Sequence, residues 1–277
     1  MWRAALNVAK AWLLLGGFVA GLTAFGWWLG DFGLASVFFV VALLMAATLH
    51  WYGPRIVLAA LGARELLLGE APDLHTTVER LALRAGVARP RLFVLPDGHP
   101  RAVAVGRGAS ASGIALSHGL LAMAPPAELE GVLGHELGRI RNRDVTVETP
   151  VVVLTGWLVE ASRIGGWLER ALLFVLGPIA ASVTQAVLSP RRIYAADLRA
   201  ARICESPHGL ADALLRLEQA QELVSFKASP TTAPIYTVNP FETVGLAALF
   251  ATHPPIGERV RRLRALDPEW REKLRAA

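Results

Sequence analysis

A single cysteine, Cys204, stands in the 277-residue chain, and this near-absence excludes an intrachain disulfide framework and any cysteine-rich metal knuckle. The lone thiol reads as a buried one. Charge is also scarce, at 18% of residues against 53% hydrophobic, with a mean hydropathy of +0.42. So apolar a composition excludes an ordinary soluble domain and points to membrane spans. The net charge of +5 at pH 7 is carried almost entirely by arginine. No dense basic run is present, so the pattern gives no nucleic-acid partner. The arginines instead flank apolar stretches, as membrane topology requires.

Ala11 to Gly30 and Phe32 to Pro54 are uncharged apart from Asp31 between them. Each has the roughly 20 residues that a helix needs to cross the hydrocarbon. The first is too long for a cleaved signal peptide and a second follows at once, so residues 1–63 read as a retained transmembrane hairpin. Arg3 and Lys10 precede it, Arg55 and Arg64 follow it, and its tip carries no basic residue. That places both ends, and the domain beyond, in the cytoplasm. Trp12, Trp27, Trp28, Trp51 and Tyr52 sit near the span ends as interfacial aromatics do.

Residues 64–144 read as the first part of a soluble domain. Leu74, Val78, Leu81, Ala82 and Ala85 recur at helical spacing, with Gly86 as C-cap. Arg91 to Leu95, Arg101 to Val105 and Gly113 to Leu116 read as strands, the last two joined by the turn Gly106 to Ser110. Pro125 and Pro126 open a helix whose apolar face is Leu129, Val132, Leu133, Leu137 and Ile140. Residues 145–190 hold two further apolar segments. Val145 to Val159, trimmed by Glu148 and Glu160, reads as a tilted, partly protein-covered span, and Ala171 to Leu188 as a fourth span. Arg191, Arg192, Arg199 and Arg202 then mark the cytoplasmic side. In residues 191–277 a polar helix runs from Pro207 to about Val224 with Ser206 as N-cap, a loop leads to His253-Pro254-Pro255, and a basic amphipathic helix closes the chain.

The chemistry-bearing run is Gly134-His135-Glu136-Leu137-Gly138-Arg139. In a zinc-protease helix two histidines at i and i+4 grip the metal from one face, and the glutamate beside the first is general base toward metal-bound water. Here the second histidine is Arg139. The run continues to Asn142, Arg143 and Asp144, and in this it resembles the HtpX-like family of membrane zinc metallopeptidases with their HExxHxxNxD run. Further similarities are the membrane hairpin before the domain, two apolar segments after the site helix, the segment Ser189-Pro190-Arg191-Arg192-Ile193-Tyr194-Ala195-Ala196-Asp197, the run His253 to Arg259, and the stretch Gly106 to Leu121.

The resemblance implies a mainly α fold with a small β-sheet, a zincin-like domain combined with about four transmembrane helices. Residue by residue, the first zinc ligand maps to His135 and the general base to Glu136, both intact. The second ligand maps to Arg139 and the third, a glutamate, to Ile193. A guanidinium has donors but no lone pair, and isoleucine has neither. A catalytic zinc site needs three protein ligands and an open position. The family's substrate-receiving strand, Asn-Ala-Phe-Ala, maps to Arg101-Ala102-Val103-Ala104, where main-chain pairing survives but any role of the asparagine side chain does not.

Two readings of the altered helix follow. Arg139 takes over the charge of the metal, pairing with Glu136 or Asp197 and keeping the cleft folded without zinc. Alternatively a zinc site is rebuilt from Asp197 with His99, His118 or His253, against the repulsion of the adjacent guanidinium. The function expected is that of an inner-membrane, multi-pass homologue without catalysis and without a cofactor, binding membrane-protein segments or a partner protease in the lipid bilayer. The rival is an active metalloendopeptidase of membrane-protein quality control with an atypical zinc site. A purely structural membrane protein is a third reading, disfavoured by the retention of Glu136 and Asp197.

Overall fold

The computed structural model describes residues 2–163, 169–223, 235–237 and 253–267. Its first two helices, α1 (Trp2–Leu29) and α2 (Phe32–Ala60), form an antiparallel hairpin. Asp31 caps α2 by accepting a hydrogen bond from the Leu34 N–H at 3.1 Å. Both helices are long and apolar enough to cross a membrane. Leu13, Trp27, Trp28, Phe32 and Leu44 are exposed on their flanks, where a bilayer rather than protein would cover them. At 29 residues, α2 outruns the hydrocarbon core. Its last turns bury Val57 and Leu58 against the sheet residues Phe93, Leu95, Val103 and Val105.

The sheet has strands β1 (Arg64–Glu65), β2 (Arg91–Leu95), β3 (Ala102–Gly108) and β4 (Ala111–Ser117), in the order β1-β2-β4-β3. Strand β2 runs parallel to β4, while β1 and β3 are antiparallel to their neighbours. The three expected strands are present, and the β3–β4 hairpin runs two to three residues further toward its tip than the glycine-rich stretch suggests, since both chains keep pairing to Gly108 and Ala111. Both faces of β3 are covered. Alternation puts Ala102 and Ala104 in the core under the site helix and Val103 and Val105 in the core under α2.

Around the sheet lie α3 (Pro72–Ala85), α4 (His118–Met123) and α5 (Pro126–Asn142), followed by α6 (Asp144–Arg163) and α7 (Glu169–Val187). The remaining helices are α8 (Arg191–Ile203), α9 (His208–Leu223) and α10 (Ile256–Arg264). Gly86 ends α3 in the left-handed region, as its sequence position implies, and Ser206 Oγ accepts from the His208 N–H at the start of α9. Val224 and residues 268–277, into which the closing helix is expected to run, lie outside the described residues, as does most of the stretch before His253. The apolar stretches expected at Val145–Val159 and Ala171–Leu188 are helical in α6 and α7, and α6 is covered by protein on the side of Val145, Val151 and Val152. Cys204 is half-buried. Burial, then Glu130, pushes its thiol up to about 11, so it is an inert protonated donor to the Glu130 carbonyl.

Helix α5 is the hub. Its residues 131–140 are all buried or nearly so, between α3, β3, α8 and α9. Two glycines let α9 cross it at backbone contact. A Cβ on Gly131 would lie 2.3 Å from the Leu210 nitrogen, and one on Gly209 would lie 2.2 Å from the Ala127 carbonyl oxygen. A methyl group there meets rigid backbone. Gly131→Ala is therefore expected to lower stability by about 1–3 kcal/mol, read as a drop in thermal midpoint of the detergent-solubilised protein; an unchanged midpoint would show that the α5–α9 crossing has slack.

Candidate functional site

Helix α5 ends at Arg143, a non-glycine residue in the left-handed region (φ 59°) whose N–H bonds back to the Arg139 and Ile140 carbonyls. That single residue turns the chain so sharply that α6 starts at once at Asp144 and packs against β3 and the α1–α2 hairpin. The turn carries Glu148 into contact with Arg139. Asn7 of α1 fixes the corner, its Nδ2 donating to the Asn142 carbonyl at 3.1 Å and to Asp144 Oδ1 at 2.7 Å.

The ionic core of the site has two halves. In the first, the Arg139 Nη1 donates to Glu136 Oε2 at 2.6 Å and to the Ile235 carbonyl at 2.8 Å, while its Nη2 donates to Glu148 Oε2. Arg192 of α8 binds the other oxygen of Glu148. Glu136 and Glu148 are fully buried, and Arg139 is 3% exposed. In the second half, Arg259 of α10 holds Asp197 in a bidentate pair with both contacts at 2.8 Å, and His135 Nδ1 lies 2.7 Å from Asp197 Oδ1. Burial alone would push the Asp197 carboxyl up, but the Arg259 guanidinium and then His135 outweigh it and hold it well below the usual carboxylate range. Burial, reinforced by Arg139, pushes Arg192 down to about 9 against the pull of the acids, so it still carries its charge at neutral pH. Three guanidiniums thus face three carboxylates in a largely buried region.

Thr237 joins the halves. Its Oγ1 donates to Glu136 Oε1 at 2.7 Å, and its carbonyl accepts from Arg259 Nη1 at 2.6 Å. The segment Ile235–Thr237 lies along β3, with Tyr236 bridging antiparallel to Val103 and the Thr237 N–H donating to the Ala102 carbonyl at 3.3 Å. Strand β3 is the edge of the sheet, and this is the stretch expected to receive a substrate backbone. Arg101 lies just before it, paired with Asp97 at 2.5 Å, bonded to the Tyr236 hydroxyl at 3.0 Å and set 5.4 Å from its ring centre. The side chain that replaces the asparagine expected there is a clamp on the chain's own strand.

The structure decides between the two charge partners expected for Arg139. Glu136 is bound, whereas Asp197 is taken by Arg259. It does not assemble the rebuilt zinc site. His118 is exposed at the start of α4 and His99 sits in the β2–β3 loop beside Asp97, while His253 Nε2 donates to the Tyr236 carbonyl at 2.8 Å. Among the described residues no three His, Cys, Asp or Glu side chains gather to hold an ion. Nor do the inherited positions fit the zinc that the resemblance implies. Ile193 is buried without a donor atom, and Arg139 fills the place of a lone pair with a cation. Glu148, Arg192, Arg259 and Thr237 were not picked out as site residues in the sequence. The signal for Glu148 was there: an acid inside an apolar run marks a partnered, functional position rather than the end of a span.

Residues 69–267 match the model of peptidase family M48. The chain is 35% identical to a protease HtpX homolog of Pelotomaculum thermopropionicum over 94% of this chain and 99% of that one. It is 38% identical to a protease HtpX homolog of Pyrococcus abyssi over 93% and 96% respectively. The crystal structure of S. mikatae Ste24p superimposes with a TM-score of 0.47 at 19% identity, covering 94% of this chain and 64% of that one.

Removing the Arg139 charge leaves buried Glu136 without a cationic partner and Glu148 with Arg192 alone. Arg139→Ala is expected to cost about 3–5 kcal/mol, and a thermal midpoint equal to that of the unaltered protein would refute the charge replacement. A second outcome concerns pH. Burial, then Arg192, holds the His253 imidazole well below its ordinary value, with Arg259 and Arg139 adding to the effect and the Tyr236 carbonyl opposing it. The unfolded chain therefore takes up this proton first, so the stability tied to neutral His253 is complete above about pH 6.5 and is lost as pH falls from there toward the folded value. His253→Gln keeps a donor for the Tyr236 carbonyl and should flatten that part of the stability–pH curve; a curve of the same slope would assign the loss elsewhere.

Proposed function

Because the chain belongs to peptidase family M48, in its HtpX-like branch of membrane metalloproteases, we propose that it is a non-catalytic member that holds extended segments of membrane proteins, or of a partner protease, in the retained cleft. The observation that carries this reading is the Arg139 guanidinium locked between Glu136 and Glu148. The glutamate at the general-base position has one oxygen on Arg139 and the other on Thr237. It faces a fixed cation and a hydroxyl donor instead of a metal-bound water.

The binding half of the proposal rests on the β3 edge. Ile235–Thr237 supports this reading through its own contacts there: one antiparallel bridge to Val103, a carbonyl gripped by Arg139, and a side chain taken by Glu136. None of these contacts requires catalysis, and most are to main chain, so they suit a strand of varied sequence. A client segment takes this edge by exchange with Ile235–Thr237. The fuller topology belongs to the same proposal. Helices α6 and α7 join α1 and α2 as membrane helices, and Lys10, Arg55, Arg64 and Arg191 keep the domain on the cytoplasmic face of an inner membrane.

The decisive experiment restores the missing ligands. Purified wild-type protein is expected to carry no stoichiometric zinc and to leave an unfolded substrate intact, whereas Arg139→His combined with Ile193→Glu should bind about one zinc per chain and cleave it. Glu148 keeps Arg192 as partner in that variant, and the two charges of a bound zinc ion would offset the guanidinium removed and the carboxylate added. Cleavage by the wild type that disappears in Glu136→Gln would overturn the non-catalytic reading in favour of an active endopeptidase.

A further inference from the structure

Far from the ionic core, an open cleft of about 600 Å³ separates the end of α2 from strand β2 and the β3–β4 hairpin. Four arginines line it: Arg55 from α2, Arg89 and Arg91 at the start of β2, and Arg107 on the hairpin. Among the described residues no carboxylate lines it. Arg89 and Arg91 have acids at its rim, Glu79 at 3.6 Å and Glu65 at 3.5 Å, in exposed pairs that a stronger anion displaces easily. Arg55 and Arg107 are exposed with no carboxylate partner among the described residues. Arg55 rests 5.8 Å from the Tyr52 ring centre instead.

The depth of this cleft identifies its ligand. Counting from Phe32, about 20 residues of helix span the hydrocarbon and reach Trp51. Trp51 and Tyr52, both more than half exposed, lie at that boundary and form the upper wall of the cleft. Arg55 follows one turn later. Within the next turn, Val57 and Leu58 are packed into the sheet, which pins the hairpin and its Arg107 close under the membrane surface. The mouth therefore opens at the level of lipid headgroups. An aromatic wall on the lipid side and guanidiniums on the aqueous side suit a molecule with an acyl part above and a phosphate below.

We propose that this cleft binds the phosphate of an anionic phospholipid headgroup. Occupancy ties the sheet, and with it the β3 edge, to the bilayer surface at a fixed height. Arg55 and Arg107 supply the greater part of the affinity because neither is engaged by an acid.

The test uses the full chain in detergent micelles, with bound lipid counted by native mass spectrometry against phosphatidylglycerol and phosphatidylcholine of equal acyl length. The wild type is expected to retain phosphatidylglycerol in preference to phosphatidylcholine. Arg55→Gln with Arg107→Gln should weaken that retention roughly 30-fold, while Arg84→Gln with Arg261→Gln, an equal charge loss outside the cleft, should leave it unchanged. Equal retention of the two lipids by the wild type would overturn the proposal, as would equal losses in the two double variants. Inorganic phosphate and glycerol phosphate form the last arm. If either displaces the lipid at concentrations comparable to its own, the cleft recognises free phosphate and the assignment to lipid falls; displacement by neither upholds it.

Discussion

The Arg139 guanidinium, set between Glu136 and Glu148, is the constraint around which the rest of the site is arranged. Buried carboxylates cannot stay ionised in a low-dielectric interior without a nearby cation, and a lone cation is no better off. The arrangement answers both problems together: Arg139, Arg192 and Arg259 face Glu136, Glu148 and Asp197. Helices α5, α6, α8 and α10 each carry at least one of these ions, and Ile235 and Thr237 are bonded to three of them. The chain must turn at Arg143 to bring the acid of α6 in, α8 must present Arg192 and Asp197 from one helix, and α10 must dock so that Arg259 meets Asp197.

A metal and a guanidinium organise a cleft differently. An ion draws lone pairs toward one point, whereas arginine presents N–H groups in a plane and rewards acceptors spread along it. The acceptors here are two carboxylates and a backbone carbonyl, and the carbonyl belongs to Ile235. The substitution therefore does more than balance charge. It creates a grip for an extended strand beside the sheet edge, and Thr237 extends that grip to Glu136 on one side and Arg259 on the other. The lack of a lone pair at position 139 and the strand-holding surface beside it are two consequences of one residue.

The membrane hairpin is continuous with this architecture. Because α2 is longer than the hydrocarbon is thick, its surplus turns become part of the core beneath β3, and the sheet edge is held at a fixed distance from the bilayer. Asn7 and Lys10 at the start of α1 add a second attachment, to the α5–α6 corner and to the Val187 carbonyl at the end of α7. Both attachments fix the site relative to the α1–α2 hairpin.

Much of this was legible in the residues alone. The hairpin follows from two uncharged runs of spanning length, the strands from short apolar segments between turn residues, and the site helix from its stripe of apolar positions around His135 and Glu136. That Arg139 and Ile193 offer no lone pair needs only the chemistry of their side chains. Periodicity does not report which of several distant charges meet. Glu148 read as a boundary and Arg192 as a topological marker, because pairing across long separations depends on how the chain turns at Arg143 and how α8 docks. Nor does any local pattern show that Ile235–Thr237 lies on the β3 edge. The sequence by itself determined the elements, the apolar hairpin and the absence of lone pairs at Arg139 and Ile193, since each is a property of local spacing or of a single side chain. Only the tertiary structure decided that Arg139 pairs with Glu136 and Glu148 and leaves Asp197 to Arg259, because the low dielectric of a packed core couples charges that the chain keeps far apart.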